Sequence, residues 1–287
     1  RCKLSSVYTC LEALRLDVLL QITRQQIKTS HCHQALVKHH SAVNPLMPEQ
    51  GWPGERCPFD DAQLDEIGRI RSQHAEQSFG IKKTIKPNPL QAGCHDLTRP
   101  IEESTLVSIL IPFRDQVELT KTCVDSIKSN AGHSCPYEIV LIDNGSTEDA
   151  TIDWVSTITK EGNVQCLRID EEFNYSRLNN KARDVCKGNF LLFLNNDIEF
   201  MSENILATLL DPFVHPRTVA VGSRLNYPDG SIQHQGVVIV PGERRCVLEP
   251  GKHLNDPEVI ASLLPLRTQE EFSAASAACL MVKAEWF

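Results

Sequence analysis

The central part of the chain alternates between short apolar runs and segments whose apolar residues recur at helical spacing. The runs are Leu106–Ile111, Tyr137–Ile142, Val164–Ile169, Phe190–Leu194 and the shorter Val219–Gly222. Runs of β-branched and large apolar residues of this length are typical of strands that are covered on both faces. We therefore predict five strands in a sheet with buried faces.

Helical spacing fills the intervals between these strands. In the first predicted helix, Leu119, Cys123 and Ile127 recur every four residues and are expected to face inward. Strands that alternate with helices predict an α/β fold, a mostly parallel sheet with helices on both faces. The predicted helices are Val117–Ser129, Ala150–Lys160, Ser176–Cys186 and Ser202–Phe213.

The first hundred residues follow another pattern. Apolar residues from Leu4 to Val18 are spaced by three and four positions, which predicts an amphipathic helix to about Lys28. A second helix is predicted from Asp60 or Asp61 to Gln77, and the proline-containing residues 80–105 are interpreted as a linker. We expect two domains: residues 1–100, a helical region and linker of unknown function, and residues 101–287, the α/β domain.

Composition narrows the function classes. The 287 residues are 41% hydrophobic and 23% charged, with a net charge of -8, which argues against a nonspecific nucleic-acid binder. No apolar stretch approaches the roughly 20 residues that span a bilayer. The 11 cysteines lack the regular spacing of a disulfide framework, which favours a reducing, cytoplasmic compartment. The chain begins with Arg1, which is consistent with a fragment or a processed form.

Two of the predicted strands end in an aspartate. Asp143 follows Glu138–Ile142, and Asp197 follows Phe190–Leu194 through two asparagines. In open α/β sheets, ligands bind at the carboxyl ends of the strands, so the two carboxylates are candidate ligand contacts. A purely structural interpretation also stands at this point, with Asp143 as a turn former and Asp197 as a cap.

Several nucleotide-binding and hydrolase motifs are missing from the sequence. The turn after the first strand, Pro112–Asp115, has no glycine, unlike a dinucleotide-binding fold. There is no Gly-x-x-x-x-Gly-Lys-[Ser/Thr] loop and no Gly-x-Ser-x-Gly elbow. The remaining α/β candidates bind their ligand through strand-end carboxylates.

Six segments, in this order, resemble the inverting family-2 glycosyltransferases with the GT-A fold, in particular their bacterial rhamnosyltransferase-like branch. The resemblance covers about residues 105–287 and implies a GT-A type mostly parallel sheet flanked by helices, preceded here by a helical N-terminal region. The segments are Val107–Pro112, Ile139–Thr147, Phe173–Asn180, Leu192–Glu199, Tyr227–Val238 and Ser276–Val282.

The resemblance assigns nucleotide-binding roles to residues after the first two strands. It implies that Pro112, Phe113 and Arg114 line the nucleotide pocket. It also implies that Asp143 accepts from the imide N–H of a uracil or thymine ring, a contact that suits a carboxylate. Asn144 and Gly145 would let the chain turn close to the nucleotide. For Arg114, a surface ion pair with a neighbouring acidic residue is the alternative.

The metal motif of this fold corresponds here to Asn195-Asn196-Asp197. The resemblance implies that Asp197 binds Mg²⁺ or Mn²⁺, which prefer oxygen ligands, bridging the diphosphate of the donor. Asn195 and Asn196 belong to the nucleotide-sugar site, with Asn195 near the ribose or a metal-bound water. One carboxylate fewer than Asp-x-Asp predicts weak metal affinity that depends on the diphosphate.

The segment before the predicted helix Ser176–Cys186 adds further candidates. The resemblance implies that Asn179 and Lys181 lie near the sugar or the phosphates, with Asp170 as a weaker candidate. Asn174 or Ser176 could equally cap this helix. His234 could meet the metal, the diphosphate or the acceptor, or could be structural. The histidines between His31 and His40 match no zinc spacing.

The general base of the family lies beyond the strand Cys279–Val282, and the chain ends at Phe287. We therefore expect a C-terminally incomplete domain, or a remnant with impaired catalysis, in which the base is unassigned. The acidic side chains of Glu270, Glu271 and Glu285 lie in no matching motif.

The predicted function is metal-dependent, inverting transfer of a hexosyl or rhamnosyl unit from a UDP- or dTDP-sugar. The acceptor would be a cell-surface polysaccharide, a lipid-linked glycan or a protein. The alternative is a noncatalytic nucleotide-sugar-binding or assembly module. A nucleotidyltransferase would need a Gly- and Arg-rich loop after the first strand, which is missing. We expect a cytoplasmic protein, either free or peripherally associated with the inner membrane or with other glycan-assembly proteins.

Overall fold

The structure is a computed structural model that describes residues 70, 84–87, 95–98, 101–102, 104–132, 135–214, 217–240, 243–246 and 272–287. The chain divides into two compact units, and the second comprises residues 101–253 and 271–287. The predicted helix that begins near Leu4 lies outside the described residues. Of the helix predicted from Asp60 to Gln77, only Ile70 is described, and it is helical and buried.

The predicted linker contains β-structure that its sequence did not indicate. Strand β1 (Thr84–Pro87) pairs antiparallel with β2 (His95–Thr98). Pro87 lies at the last position of β1, where a proline without an N–H donor disturbs the ladder least. The interpretation of residues 80–105 as linker throughout is therefore wrong for these two segments.

A six-stranded sheet forms the second unit. Its strands in chain order are β3 (Val107–Phe113), β4 (Tyr137–Asp143), β5 (Val164–Arg168), β6 (Phe190–Leu194), β7 (Ala220–Gly222) and, later, β12 (Cys279–Lys283). The spatial order is β5-β4-β3-β6-β12-β7. Strands β5, β4, β3 and β6 are parallel, whereas β12 runs antiparallel between β6 and β7. The mostly parallel sheet that the sequence predicted is confirmed.

Helices cover both faces of this sheet, as predicted. The described helices are α1 (Val117–Asn130), α2 (Asp149–Ile158), α3 (Tyr175–Arg183) and α4 (Ile205–Leu210). Ile109 packs with Ile127 of α1 and Leu206 of α4 in one buried cluster, whereas Leu110 packs with Leu178 of α3 in another. Adjacent strand residues thus enter opposite cores, because successive side chains of a strand point to opposite faces.

The inward orientation predicted for Leu119 is wrong. Its side chain is 46% exposed, and the buried face of α1 is formed by Thr120, Cys123, Val124 and Ile127. Steps of four residues advance 40° beyond a full turn of an α-helix, so a series such as 119, 123, 127 drifts around its axis. Cys123 and Ile127 are buried as predicted.

The predicted helix Ser202–Phe213 is shorter in the structure. Asn204 precedes α4 with a left-handed φ of 57°, and α4 gives way to a 3-10 helix at Asp211–Val214. Pro212 has no N–H to donate and its ring crowds the preceding turn, which ends the α-helical hydrogen bonding. The 3-10 helix carries Phe213 into the core against Phe190, with ring centroids 5.1 Å apart.

Four short strands follow β7 that the sequence pattern did not predict. They are β8 (Leu225–Asn226), β9 (Ile232–His234), β10 (Val237–Val240) and β11 (Glu243–Cys246). β8 pairs with β9 and β10 with β11, both antiparallel. A further bridge joins Val237 to Ala274, which lies shortly before β12. A last 3-10 turn, Ala284–Trp286, follows β12.

Candidate active site

The carboxyl ends of the four parallel strands bring most of the predicted site residues to one edge of the sheet. Phe113 of β3 lies opposite Asp143 of β4, and Asp143 lies opposite Arg168 of β5. Loops from each strand end extend this edge, because parallel strands end on the same side. The sequence predicted the strand ends, and the register fixes which side chains are neighbours.

Asp143 forms the centre of the edge and is buried. One carboxylate oxygen accepts from the backbone N–H of Ser146 at 2.7 Å, and the other accepts from Nη1 of Arg168 at 3.0 Å. The Ser146 contact is that of an Asp that begins a turn, as the structural interpretation predicted. Each carboxylate oxygen has two acceptor sites, so Asp143 retains acceptor capacity for a ligand.

Arg168 is held between three acceptors. In addition to its bond to Asp143, the guanidinium donates to the backbone oxygen of Ser146 at 3.0 Å. It also contacts the carboxylate of Asp170 twice, through Nε at 3.1 Å and through Nη2 at 3.0 Å. The hydrogen bond to Asp170 is the main reason that the pKa of Arg168 is raised above its ordinary value. Its side chain remains 46% exposed, so a fixed positive charge faces the solvent at this edge.

Asn144 and Gly145 make the turn that the sequence predicted. The amide of Asn144 donates to the backbone oxygens of Ile169 and Glu171, both at 2.9 Å, while its buried Oδ1 has no partner among the residues that the structure describes. Gly145 has a φ of 78°, and an added Cβ would lie 2.9 Å from Oδ1 of Asp170. The turn therefore packs closely against the loop that follows β5.

The three residues at the end of β3 that were predicted to line a nucleotide pocket differ in solvent exposure. Pro112 and Phe113 are buried in the strand, and Phe113 belongs to the hydrophobic core. Arg114 is exposed and is close enough to contribute to the lowered pKa of Asp115. Of the three, Arg114 is the side chain that is exposed.

Helix α3 places Asn179 and Lys181 differently. Asn174 caps the helix by accepting from the N–H of Arg177 at 3.0 Å, which settles the capping alternative in favour of Asn174 over Ser176. Asn179 is buried, and within the described ranges its Oδ1 has no partner. Lys181 is exposed and pairs with Glu171, and this contact lowers the pKa of Glu171.

The Asn195-Asn196-Asp197 turn follows β6. The backbone N–H of Asn195 donates to Ala278 at 3.0 Å, and Asn196 donates to Thr120 of α1 at 3.1 Å. The side chain of Asp197 is exposed. It lies near enough to Cys123 to help raise the pKa of that thiol to about 12, although burial is the larger cause. The turn thus presents the exposed carboxylate of Asp197 at this edge.

His234 has a structural role. Its Nε2 accepts from the N–H of Gly236 at 3.2 Å and from the N–H of Ser276 at 3.1 Å. Burial lowers its pKa, which favours the neutral form that these two contacts need. The same segment is held from α3, since the Tyr175 hydroxyl donates to Ala277 at 3.0 Å. His234 therefore fixes the chain that leads into β12.

The oxygen donors at this edge are few. Within the described ranges, no group of three or more His, Cys, Asp or Glu side chains could hold a metal ion. One exposed Asp197 carboxylate with neighbouring amide oxygens does not form a complete cage. Mg²⁺, however, is often bound by one or two carboxylates together with substrate phosphates. These residues fit a metal that arrives with a diphosphate.

Two residues of this edge were not predicted from the sequence. Arg168 forms the ion pair with Asp143. Asp115 accepts hydrogen bonds from the turn after β4 and so joins the loops after β3 and β4. The available signal was positional: each is a charged residue at or just after a strand end, adjacent to Asp143 or to its turn. Only the sheet register shows that they meet it.

The described residues thus form a mostly parallel α/β sheet with carboxylates at its strand ends, and the turn after its first strand has no glycine-rich phosphate loop. Residues 108–245 match the family Glycosyl transferase family 2. This part of the chain is thus a Glycosyl transferase family 2 domain, as predicted, and its mostly parallel sheet flanked by helices is the predicted α/β class.

Two curated relatives are longer than this chain. "Uncharacterized protein y4gI" of Sinorhizobium fredii is 36% identical over 256 residues, covering 86% of this chain and 27% of the relative. "O-antigen biosynthesis protein RfbC" of Myxococcus xanthus is 33% identical over 175 residues, covering 60% and 13%. The chain therefore spans about a quarter or less of the length of these relatives.

Among solved structures, the chain is similar to the mannosyltransferase PcManGT from Pyrobaculum calidifontis, in complex with GDP-Man and Mn2+. The identity is 17% and the TM-score 0.39, with 58% of this chain and 46% of that chain covered. No helix among the described residues is long and apolar enough to cross a membrane.

Proposed function

We propose that the family 2 domain transfers a sugar from a pyrimidine nucleotide-sugar to a glycan acceptor. The observation that carries the proposal is the Asp143–Arg168 pair at the carboxyl edge of the sheet. It places an acceptor and a half-exposed cationic donor side by side, in a domain of a family that transfers sugars. The name of the relative RfbC supports a polysaccharide acceptor.

The pair suits the Watson–Crick edge of uracil or thymine. That edge offers an imide N–H beside a carbonyl oxygen, so it needs one acceptor and one donor in adjacent positions. Asp143 supplies the acceptor, and the guanidinium of Arg168, 3.0 Å away, supplies the donor. A guanine edge also presents an N–H beside a carbonyl oxygen, so titrations that compare UDP and dTDP with GDP decide which base this pair binds.

Asp197 would hold a divalent cation together with the diphosphate of the donor, with Asn195 nearby. Bound there, Mn²⁺ or Mg²⁺ would neutralise the charge that develops on the leaving nucleoside diphosphate. Arg114 and Lys181, both exposed, are the basic side chains that we expect to attract the phosphates. Asn179, buried on α3 with an Oδ1 that has no partner in the described part of the chain, is the acceptor that we assign to the sugar or the phosphates.

Calorimetric titration of the chain with UDP, dTDP and GDP, with and without Mn²⁺, tests the proposal. We expect UDP or dTDP to bind, with Mn²⁺ increasing the affinity. Asp143→Asn should weaken nucleotide binding, and Asp197→Asn should remove the Mn²⁺ effect alone. Asp125→Asn, an exposed carboxylate on α1, is the matched control. Absence of nucleotide binding by the wild-type chain would contradict the proposal.

Donor hydrolysis separates an enzyme from a binding module. A transferase is expected to hydrolyse its nucleotide-sugar slowly when no acceptor is present, since water can replace the acceptor hydroxyl. Binding of UDP-sugar without hydrolysis or transfer would favour the noncatalytic module. The nucleotide titrations and the hydrolysis assay therefore answer separate questions about the same edge of the sheet.

A further inference from the structure

The loop after β3 has an unusual backbone. Asp115 has a φ of 52° and Gln116 a φ of 51°, so two consecutive non-glycine residues lie in the left-handed region. This region is uncommon for residues with a side chain, and it persists only where surrounding contacts impose it. The contacts of Asp115 identify what imposes it here.

Four hydrogen bonds join this loop to the turn after β4. Oδ1 of Asp115 accepts from the N–H of Thr147 at 2.7 Å and from that of Glu148 at 2.9 Å. In return, the N–H of Asp115 donates to Oγ of Ser146 at 2.8 Å, and the N–H of Gln116 donates to Glu148 at 3.3 Å. We call this set of contacts the Asp115 clasp.

The clasp also caps helix α2 from outside. Glu148, the residue that precedes α2, makes no side-chain capping bond, and the carboxylate of Asp115 bonds to the N–H groups just before the helix. Those two bonds are the main causes of the lowered pKa of Asp115, so the carboxylate is charged near neutral pH. A negative charge is favourable at a helix N-terminus.

Ser146 connects the clasp to the pair proposed to bind the base. Its Oγ accepts from Asp115, its N–H donates to Asp143 at 2.7 Å, and its backbone oxygen accepts from Arg168 at 3.0 Å. Ser146 is buried, so these contacts are shielded from water. A shift of Asp115 would therefore displace Ser146, and with it one partner each of Asp143 and Arg168.

We propose that Asp115 is a positioning residue for the nucleotide, which holds the loops after β3 and β4 in one fixed arrangement. It touches no ligand itself in this role. Arg114 precedes Asp115 in the chain, and Ser146 links Asp115 to the Asp143–Arg168 pair. The inference rests on the proposed nucleotide-binding function, and it adds a residue that the sequence motifs did not assign.

The test compares three substitutions at one position. Asp115→Asn keeps an oxygen acceptor at the same distance and suits a left-handed backbone, so UDP affinity should stay within about threefold of wild type. Asp115→Ala removes the acceptor and should weaken UDP binding by about tenfold or more, a loss of about 1.4 kcal/mol. Asp115→Glu keeps the charge but moves the carboxylate by one methylene, and should fall between the two.

A stability control separates positioning from a general loss of structure. Ile127→Val, on the buried face of α1, should lower the melting temperature without changing either loop. We expect Ile127→Val to bind UDP as wild type does, while Asp115→Ala loses affinity even at temperatures far below its melting point. If Asp115→Ala does not fold, the decisive comparison is Asp115→Asn against Asp115→Glu, and Asn must bind more tightly.

The two proposals fail in different ways. If the wild-type chain binds neither UDP nor dTDP, the proposed function fails and the positioning role fails with it. If the wild type binds UDP and Asp115→Ala binds within about twofold of it, the function stands and the positioning role is refuted. Equal weakening by Asp115→Asn and Asp115→Ala would likewise refute the role of the acceptor oxygen.

Discussion

Substituting Gly236 with alanine is expected to destabilise the domain, because two separate costs fall on this residue. Its φ is 113°, which side chains rarely adopt, and an added Cβ would lie 2.6 Å from Cγ of the Phe272 ring. Cγ is the ring atom nearest the backbone, so it cannot swing aside as the far end of a flexible side chain would. The backbone of this segment is held two residues further on, where Val237 and Ala274 exchange hydrogen bonds of 2.9 and 3.1 Å.

The magnitude follows from the two terms. A left-handed or otherwise sparsely populated backbone costs an L-residue about 1–2 kcal/mol. Forcing an extra methyl into a packed contact costs about 1–3 kcal/mol. We therefore expect Gly236→Ala to lower the free energy of unfolding by about 3 kcal/mol, a fall of about 6–12 °C in melting temperature for a domain of this size.

Two other glycines separate the terms. Gly230 has a φ of 84° but no atom within 4 Å of the added Cβ, so Gly230→Ala should cost only the backbone term of about 1–2 kcal/mol. Gly162 also has open space and has no positive φ, so Gly162→Ala should be neutral or stabilise by about 0.4–1 kcal/mol. Urea unfolding followed by circular dichroism measures all three.

The refuting results are specific. Equal losses for Gly236→Ala and Gly230→Ala would show that the Phe272 ring yields and that the contact term is absent. A loss for Gly162→Ala as large as that for Gly230→Ala would refute the assignment of the cost to backbone conformation. In either case, the packing of residues 272–278 against β9 and β10 would need another explanation.

Two further predictions concern pH and helix packing. Burial lowers the pKa of His234 below its ordinary value of 6.5, so the unfolded chain binds more protons at this residue than the folded chain. The stabilisation of the folded chain by neutral His234 is therefore present above pH 6.5 and is lost as the pH falls from 6.5 toward the pKa of the folded state. Urea midpoints between about pH 8 and 5 should show this loss, and His234→Gln, which accepts hydrogen bonds without titrating, should flatten it; an unchanged profile would contradict the assignment. On α1, Leu119→Gln should change the free energy of unfolding by less than about 0.5 kcal/mol, whereas Ile127→Ala should cost about 2–5 kcal/mol. Urea unfolding checks this pair, and comparable losses would show that Leu119 is buried after all.

The strands of the parallel sheet could be predicted closely because burial on both faces leaves a plain apolar run. Phe190–Leu194 is observed with its predicted bounds, and Tyr137–Ile142 differs only by the addition of Asp143. The short strands from Leu225 onward could not be predicted. They have two to four residues each, too few for a periodic pattern to appear.

The candidate site was predictable as a set of strand ends but not as a set of contacts. Asp143 was identified because it ends an apolar run, while its partner Arg168 depends on the register between β4 and β5. The Asp115 clasp depends on the left-handed backbone of Asp115 and Gln116, which the residue types at these positions do not predict. The structural role of His234 as a neutral hydrogen-bond acceptor likewise depends on two N–H groups. One of them belongs to Ser276, 42 residues away in the chain.

The antiparallel insertion of β12 has a consequence for synthesis of the protein. Leu194 of β6 pairs with Cys279, which is made about 85 residues later. At a translation rate of about 5–20 residues per second, β12, the second neighbour of β6 in the sheet, is made about 4–17 s after β6. During that interval the apolar run Phe190–Leu194 is the open edge of a half-built sheet, and open apolar edges invite pairing with other chains. The nascent chain therefore carries this open apolar edge from the synthesis of β6 until β12 is made.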